Sequence, residues 1–145
     1  MIYIASDHGG FKTKLKLVKF LQKKGYKITD FGPTSYDPKD DYPDYVIPLA
    51  KKLSSTKNLG IVICRNGQGV CIATNKLKGI RAVTGFSKKE AKTTRLDDNA
   101  NILCIPADYL RFSQIKSIVI TWLQTEFSGE TRHKRRLAKI KRLEK

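Results

Sequence analysis

The run Leu59-Gly60-Ile61-Val62-Ile63-Cys64, with Arg65-Asn66-Gly67-Gln68-Gly69 directly after it, decides the fold. It is continuous, apolar and rich in β-branched residues, the pattern of a strand covered on both faces. Such a strand belongs inside a parallel sheet. The polar, glycine-bearing segment that follows makes a turn, and Val70 to Leu77 continues as a helix.

Toward the N-terminus the same grammar recurs. Ile2 to Ala5 reads as a buried strand closed by Ser6-Asp7-His8-Gly9-Gly10. Phe11, Leu15, Val18 and Leu21 then fall at helical spacing until Gly25 stops them. Tyr26 to Asp30 is a short strand and Phe31 to Pro43 a proline-bearing loop. Tyr45 to Leu53 is a helix with Pro48 near its first turn, where proline is tolerated. Toward the C-terminus come a strand over Ile80 to Thr84, a helix over Lys88 to Leu96 and a strand over Asn101 to Ile105. Phe112, Ile115, Val119, Trp122 and Leu123 mark a long amphipathic helix, and Leu137, Ile140 and Leu143 a short basic one. Strands alternating with helices at this spacing give an α/β fold, a five-stranded parallel sheet with helices on both faces. An order 2-1-3-4-5 places the ligand crevice between the carboxyl ends of strands one and three. The loops carrying Asp7-His8 and Cys64 to Gly69 converge there.

At 145 residues the chain is expected to form one domain. Its 29 Lys+Arg against 13 Asp+Glu give +16, a potential that draws phosphorylated small molecules, nucleic acid or anionic lipid without choosing among them. Lys12, Lys14, Lys16, Lys19, Lys23 and Lys24 read mostly as a solvated halo. Three cysteines in or beside apolar runs argue against a disulfide framework and for a reducing compartment. The only histidines are His8 and His133, so no metal-ligand spacing appears. No window approaches a membrane span, and the opening residues lack the length and basic lead of a signal peptide, so the expected place is the cytoplasm.

Cys64 ends a strand and precedes a helix. Unpaired amides and the helix dipole are expected to lower the pKa of a thiol there, with Arg65 adding to the effect. Cys71 and Cys104, among apolar neighbours, read as packing residues. Gly67 and Gly69 allow inward-facing amides, a small anion nest. The pattern is neither the dinucleotide fingerprint nor a Walker loop. His8 beside Asp7 suits ligand binding. Arg132 and Arg136, in Arg132-His133-x-x-Arg136, share one helical face at a spacing that suits either a phosphate or a solvated helix.

Together, Ser6-Asp7-His8-Gly9-Gly10, Asp41-Tyr42-Pro43-Asp44-Tyr45, the segment Ile63 to Lys76, Gly79-Ile80-Arg81-Ala82 and the stretch around Arg132 to Arg136 resemble the ribose-5-phosphate isomerase B family. That family also includes the galactose-6-phosphate isomerase subunits, and the likeness runs from Ile2 to about Ile140. It implies a Rossmann-like three-layer α/β/α fold, a homodimer or homotetramer with shared active sites, no metal and no cofactor. It implies aldose–ketose isomerisation of a sugar phosphate, ribose 5-phosphate first, through a cis-enediolate with Cys64 as base. Asn66 and the amides of Gly67, Gln68 and Gly69 would hold the enediolate oxygens. Asp7, His8, Tyr42 and Arg65 would line the substrate site. Arg132 and Arg136, on a C-terminal basic helix over about 131–145, would clamp the phosphate across a subunit interface.

The chain departs from the family pattern in Arg95-Leu96-Asp97-Asp98-Asn99-Ala100-Asn101. Asp97 stands where members carry a ring-opening histidine, and Asp98 where they carry a ligand asparagine. Asp97 can still accept a hydroxyl proton. Asp108 falls where an arginine is common, and Arg65 where a small residue is usual. These changes keep two alternatives in view, a hexose-phosphate isomerase and a non-catalytic sugar-phosphate binder. Specific nucleic-acid binding is disfavoured, since no recognition module accompanies the charge.

Overall fold

The computed structural model describes residues 1–144. In chain order the elements are β1 (Ile2–Ser6), α1 (Phe11–Lys23), β2 (Ile28–Asp30), α2 (Pro43–Ser54), β3 (Leu59–Cys64), α3 (Gln68–Thr74), β4 (Ala82–Thr84), α4 (Lys88–Asp98), β5 (Ile102–Pro106), α5 (Phe112–Gln124) and α6 (Thr131–Lys141). All strand pairs are parallel. The strand alternation sorts the core into two layers. Ile2, Ile4, Ile61, Ile63, Leu103 and Ile105 face α1, α4 and α5, where Leu17, Leu21, Ala91, Ile115 and Trp122 pack. Tyr3, Ala5, Val62, Cys64 and Cys104 face α2 and α3 through Val46, Leu49, Leu53 and Val70. This is the three-layer α/β/α architecture expected.

The order is β2-β1-β3-β5-β4, not 2-1-3-4-5. Burial explains the exchange. Every residue of β5 is buried, as a strand flanked on both sides and covered on both faces must be. The three-residue β4 is buried only at Ala82, which suits a short edge strand. The exchange leaves the crevice in place, because β1 and β3 remain neighbours and the order still reverses there.

Element ends also moved. α2 begins at Pro43 rather than Tyr45, because proline fits the first helical position, and Pro48 consequently lies inside the helix. β2 and β4 start two residues later than expected, and α3 runs Gln68–Thr74 rather than Val70 to Leu77. α6 ends at Lys141, and among the described residues no helix is long and apolar enough to cross a membrane.

Lys14 is not part of the solvated halo. It is fully buried on α1. Its Nζ donates to both carboxylate oxygens of Asp30, at 2.7 and 2.8 Å, and to the Pro33 carbonyl at 2.7 Å. Asp30 in turn accepts the Gly32 amide at 2.9 Å. The end of β2 and the start of the loop leading to α2 are thereby tied to α1. A buried cation with three oxygen partners is costly to break, although the partly exposed Asp30 can recover some solvation. Lys14→Ala is therefore expected to lower unfolding free energy by roughly 3 kcal/mol in urea titrations. A loss under about 1 kcal/mol, the worth of a surface pair, would contradict this role.

Candidate active site

Two loops at the carboxyl ends of β1 and β3 build the crevice. Asp7 follows β1, is 7% exposed, and accepts the Gly10 amide on Oδ1 at 3.0 Å. Gly10 is required here, since a Cβ would strike the Ile63 carbonyl and hold the loop away from β3. The stem of Arg65 passes over Gly9, which brings the β3 loop onto the β1 loop.

Cys64 ends β3 with its thiol buried on the α2/α3 face. Gly67 turns the chain with φ of +72°, a conformation L side chains rarely adopt, and its N–H donates to Cys64 Sγ at 3.2 Å. The thiol donates to Asn66 Oδ1 at 3.8 Å, and the Gln68 amide donates to the same oxygen at 3.0 Å. Asn66 therefore spends its carbonyl inside the loop, which leaves its NH2 group to donate outward.

This geometry corrects two expectations. The Cys64 thiol pKa is raised, not lowered. Burial is the largest cause, the amides of Val70, Gly67 and Asn66 offset part of it, and the Asp7 carboxylate adds to the rise. The amide nest expected to hold substrate oxygens is also partly used. The Gly67 amide serves the sulfur and the Gln68 amide serves Asn66. The loop thus holds the thiol at both ends of its chemistry, Gly67 N–H donating to the sulfur and Asn66 Oδ1 accepting its proton.

Tyr42 is half-buried at the head of α2, with its ring over Gly69. Gln68 is exposed, and its side chain accepts from the Thr84 hydroxyl at 3.5 Å. Arg65 is exposed and lies 3.4 Å from Asp108. Cys104 is fully buried, and Cys71 is half-buried on α3 with its thiol donating to the Ala82 carbonyl at 3.3 Å. Cys71 is also the more acidic thiol, lowered to about 7 by its hydrogen bond with Cys104.

The remaining site residues are elsewhere. Asp97 and Asp98 end α4, which leads into β5 and so lies at the amino end of the sheet. Cys64 pairs with Pro106, the last residue of β5. A five-residue strand, about 16 Å at ~3.3 Å per residue, separates the two ends. α6 is anchored at that far end too. Ser128 N–H donates to the Leu96 carbonyl at 3.1 Å, and Arg95 Nε to the Thr125 carbonyl at 3.1 Å. His133, buried on α6, has its Nε2 3.6 Å from Asp97. Arg132 and Arg136 are both exposed, Arg132 pairing with Glu130 at 2.8 Å. One chain thus carries two clusters at opposite ends of its sheet. Asp7, His8, Tyr42 and Cys64 to Gly69 form one; Asp97, Asp98, Arg132 and Arg136 form the other.

Sequence reasoning missed Asp40, whose carboxylate meets His8 at 2.7 Å in the crevice. The acid-rich stretch Asp37 to Asp41 is its only signal, and nothing in the spacing distinguishes it from its neighbours.

Residues 2–140 match the profile of the family described as Ribose/Galactose Isomerase. A Mycoplasma pneumoniae protein named "Probable ribose-5-phosphate isomerase B" is 44% identical over 96% of this chain and 91% of its own. The structure of ribose-5-phosphate isomerase B from Mycoplasma genitalium with bound ribulose-5-phosphate superposes with a TM-score of 0.93. It is 43% identical and covers 97% of this chain and 93% of that one. The Clostridium thermocellum ribose-5-phosphate isomerase B gives a TM-score of 0.94 at 40% identity, over 99% and 96% of the two chains. Fold and likeness together define the class, an aldose–ketose isomerase built on a parallel α/β sheet. The chain belongs to the ribose/galactose isomerase family.

The raised thiol has a direct readout. In a Cys71→Ala background, alkylation of Cys64 by iodoacetamide should climb with pH and reach its midpoint above the ~8.5 of a free thiol. A midpoint below that value would mean that the amides outweigh burial.

Proposed function

We propose that this chain isomerises ribose 5-phosphate to ribulose 5-phosphate, with Cys64 as the base, in a site assembled from two copies. The observation that carries the reading is the placement of Cys64, its sulfur cradled by the Gly67 amide between the β1 and β3 loops. In the opened sugar, the C2 hydrogen of the aldose is the acidic one, lying beside the C1 carbonyl. The Cys64 thiolate takes that proton, leaving a cis-enediolate, and returns it to C1, while a hydroxyl proton passes from O2 to O1. Asn66 donates its NH2 group to the developing oxyanion. Because the resting thiol is protonated, ionisation has to accompany binding, when cationic groups approach and outweigh the burial that raises its pKa.

Charge supports the second copy. Despite the net +16, the crevice of one chain sets Asp7, Asp40 and Asp108 against Arg65 and His8. That balance does not suit a phosphate dianion. Arg132 and Arg136 supply the missing charge if a partner's amino-end cluster faces this crevice, which a two-fold axis does for both sites at once. Asp97 arrives on the same surface, 3.6 Å from His133 Nε2, and accepts the anomeric hydroxyl proton as the C1–O4 bond of the furanose breaks, while O4 takes a proton from solvent. The three unpaired thiols fit a reducing cytoplasm.

Purified protein should convert ribose 5-phosphate to the ketose and carry solvent deuterium into the sugar. Cys64→Ala should lose at least about 10³-fold in kcat while keeping its circular dichroism spectrum. Turnover surviving in Cys64→Ala would rule out the mechanism. Binding without deuterium uptake in the parent protein would make it a binder, and faster turnover of galactose 6-phosphate would move the substrate to a hexose.

A further inference from the structure

His8 is held at two points by one oxygen. Its backbone N–H donates to Asp40 Oδ1 at 2.9 Å, and its Nδ1 lies 2.7 Å from the same atom. The Asp40 side chain is 4% exposed although it sits on a loop, and its second oxygen has no hydrogen-bond partner among the described residues. A buried carboxylate with one oxygen unsatisfied is expensive to keep, and among the described residues the imidazole is the group that pairs with its charge. The loop that carries Asp40 is fixed at its start by Lys14, through the Pro33 carbonyl. The His8 ring, about a quarter exposed, cannot turn without breaking the short contact.

We propose that Asp40 is a positioning residue for substrate binding: it fixes the His8 ring with Nδ1–H toward its carboxylate, so that the protonated ring presents Nε2–H to the anionic end of the substrate in the crevice. The carboxylate selects the tautomer, because an ionised acid only accepts and Nδ1 must therefore carry a proton. A neutral ring in this pose would aim the Nε2 lone pair at the substrate's oxygens. The imidazolium instead aims a charged donor, which an anion accepts strongly. The groups facing the ring favour the cation on balance. The Asp40 hydrogen bond is the largest cause of the raised His8 pKa, the Asp7 and Asp40 charges add to it, and partial burial and Arg65 oppose it. Tyr45 also faces Asp40; its hydroxyl pKa is pushed up by burial and by the surrounding acids, so it stays neutral and adds no charge. Binding through His8 should weaken as pH rises through the raised His8 pKa, the cation being lost there.

The role toward the sugar phosphate rests on the function proposed above, whereas the His8–Asp40 pair does not. Two readouts separate them. In the ligand-free protein, the His8 ring resonances should titrate with a lower midpoint in Asp40→Asn than in the parent, with His133 as the internal control. An unchanged midpoint overturns the pair. In steady-state assays, Asp40→Asn should raise KM for ribose 5-phosphate about tenfold at neutral pH and leave kcat within about twofold. A lowered midpoint with KM unchanged overturns the positioning role. A parent protein that turns over no sugar phosphate overturns the proposed function and leaves the resonance result to judge the pair. A further measurement needs no variant: inorganic phosphate added to the parent protein should shift the His8 resonances and raise their midpoint. No shift at millimolar phosphate overturns the contact with the anionic group.

Discussion

The parallel direction of the strands is the constraint on which the rest depends. In a βαβ unit each helix returns the chain to the starting end, so loops after strands share one edge and loops after helices share the other. Cys64 and Asp7 follow strands, whereas Asp97 and Asp98 precede one. No side-chain rearrangement brings these groups together within one chain, because β5 spans the distance with every residue buried. The separation of the two clusters is a property of the topology.

The two edges also differ in what they offer. The carboxyl edge carries the thiol, the amide cradle and the Asp40–His8 pair, with acids at Asp7 and Asp108. The amino edge carries the exposed arginines of α6, joined to α4 by the buried His133 beside Asp97. Within one chain the thiol and the exposed arginines therefore stand at opposite edges of the sheet. That separation also accounts for the raised thiol, because a lone chain surrounds Cys64 with burial and a carboxylate while the strongest cations lie at the far end.

Much of this was legible from residue patterns, for physical reasons. Short apolar runs at Ile2 to Ala5 and Leu59 to Cys64, rich in isoleucine and valine and closed by polar, glycine-bearing turns, read as strands buried on both faces, and that placed the sheet and its crevice. The exchange of β4 and β5 was readable in part, since Ile80 to Thr84 contains Arg81 while Ile102 to Ile105 is wholly apolar. Other features depend on distances that spacing does not encode. Lys14 looked like its solvated neighbours because its partners, Asp30 and the Pro33 carbonyl, lie beyond the end of its helix. Asp40 is one acid among several, chosen only by where the loop folds. The direction of the Cys64 shift turned on burial against amide donation, and the helix-start argument counted only the second.

The central claim, that one chain holds half of each site, is tested most directly by mixing two inactive proteins. Cys64→Ala retains the arginines, and Arg132→Ala/Arg136→Ala retains the thiol. Unfolded together and refolded as an equal mixture, they should recover about a quarter of parental activity, since half the dimers are mixed and each carries one intact site. No recovery above the separate variants, with mixed dimers demonstrated by mass spectrometry, would contradict the account.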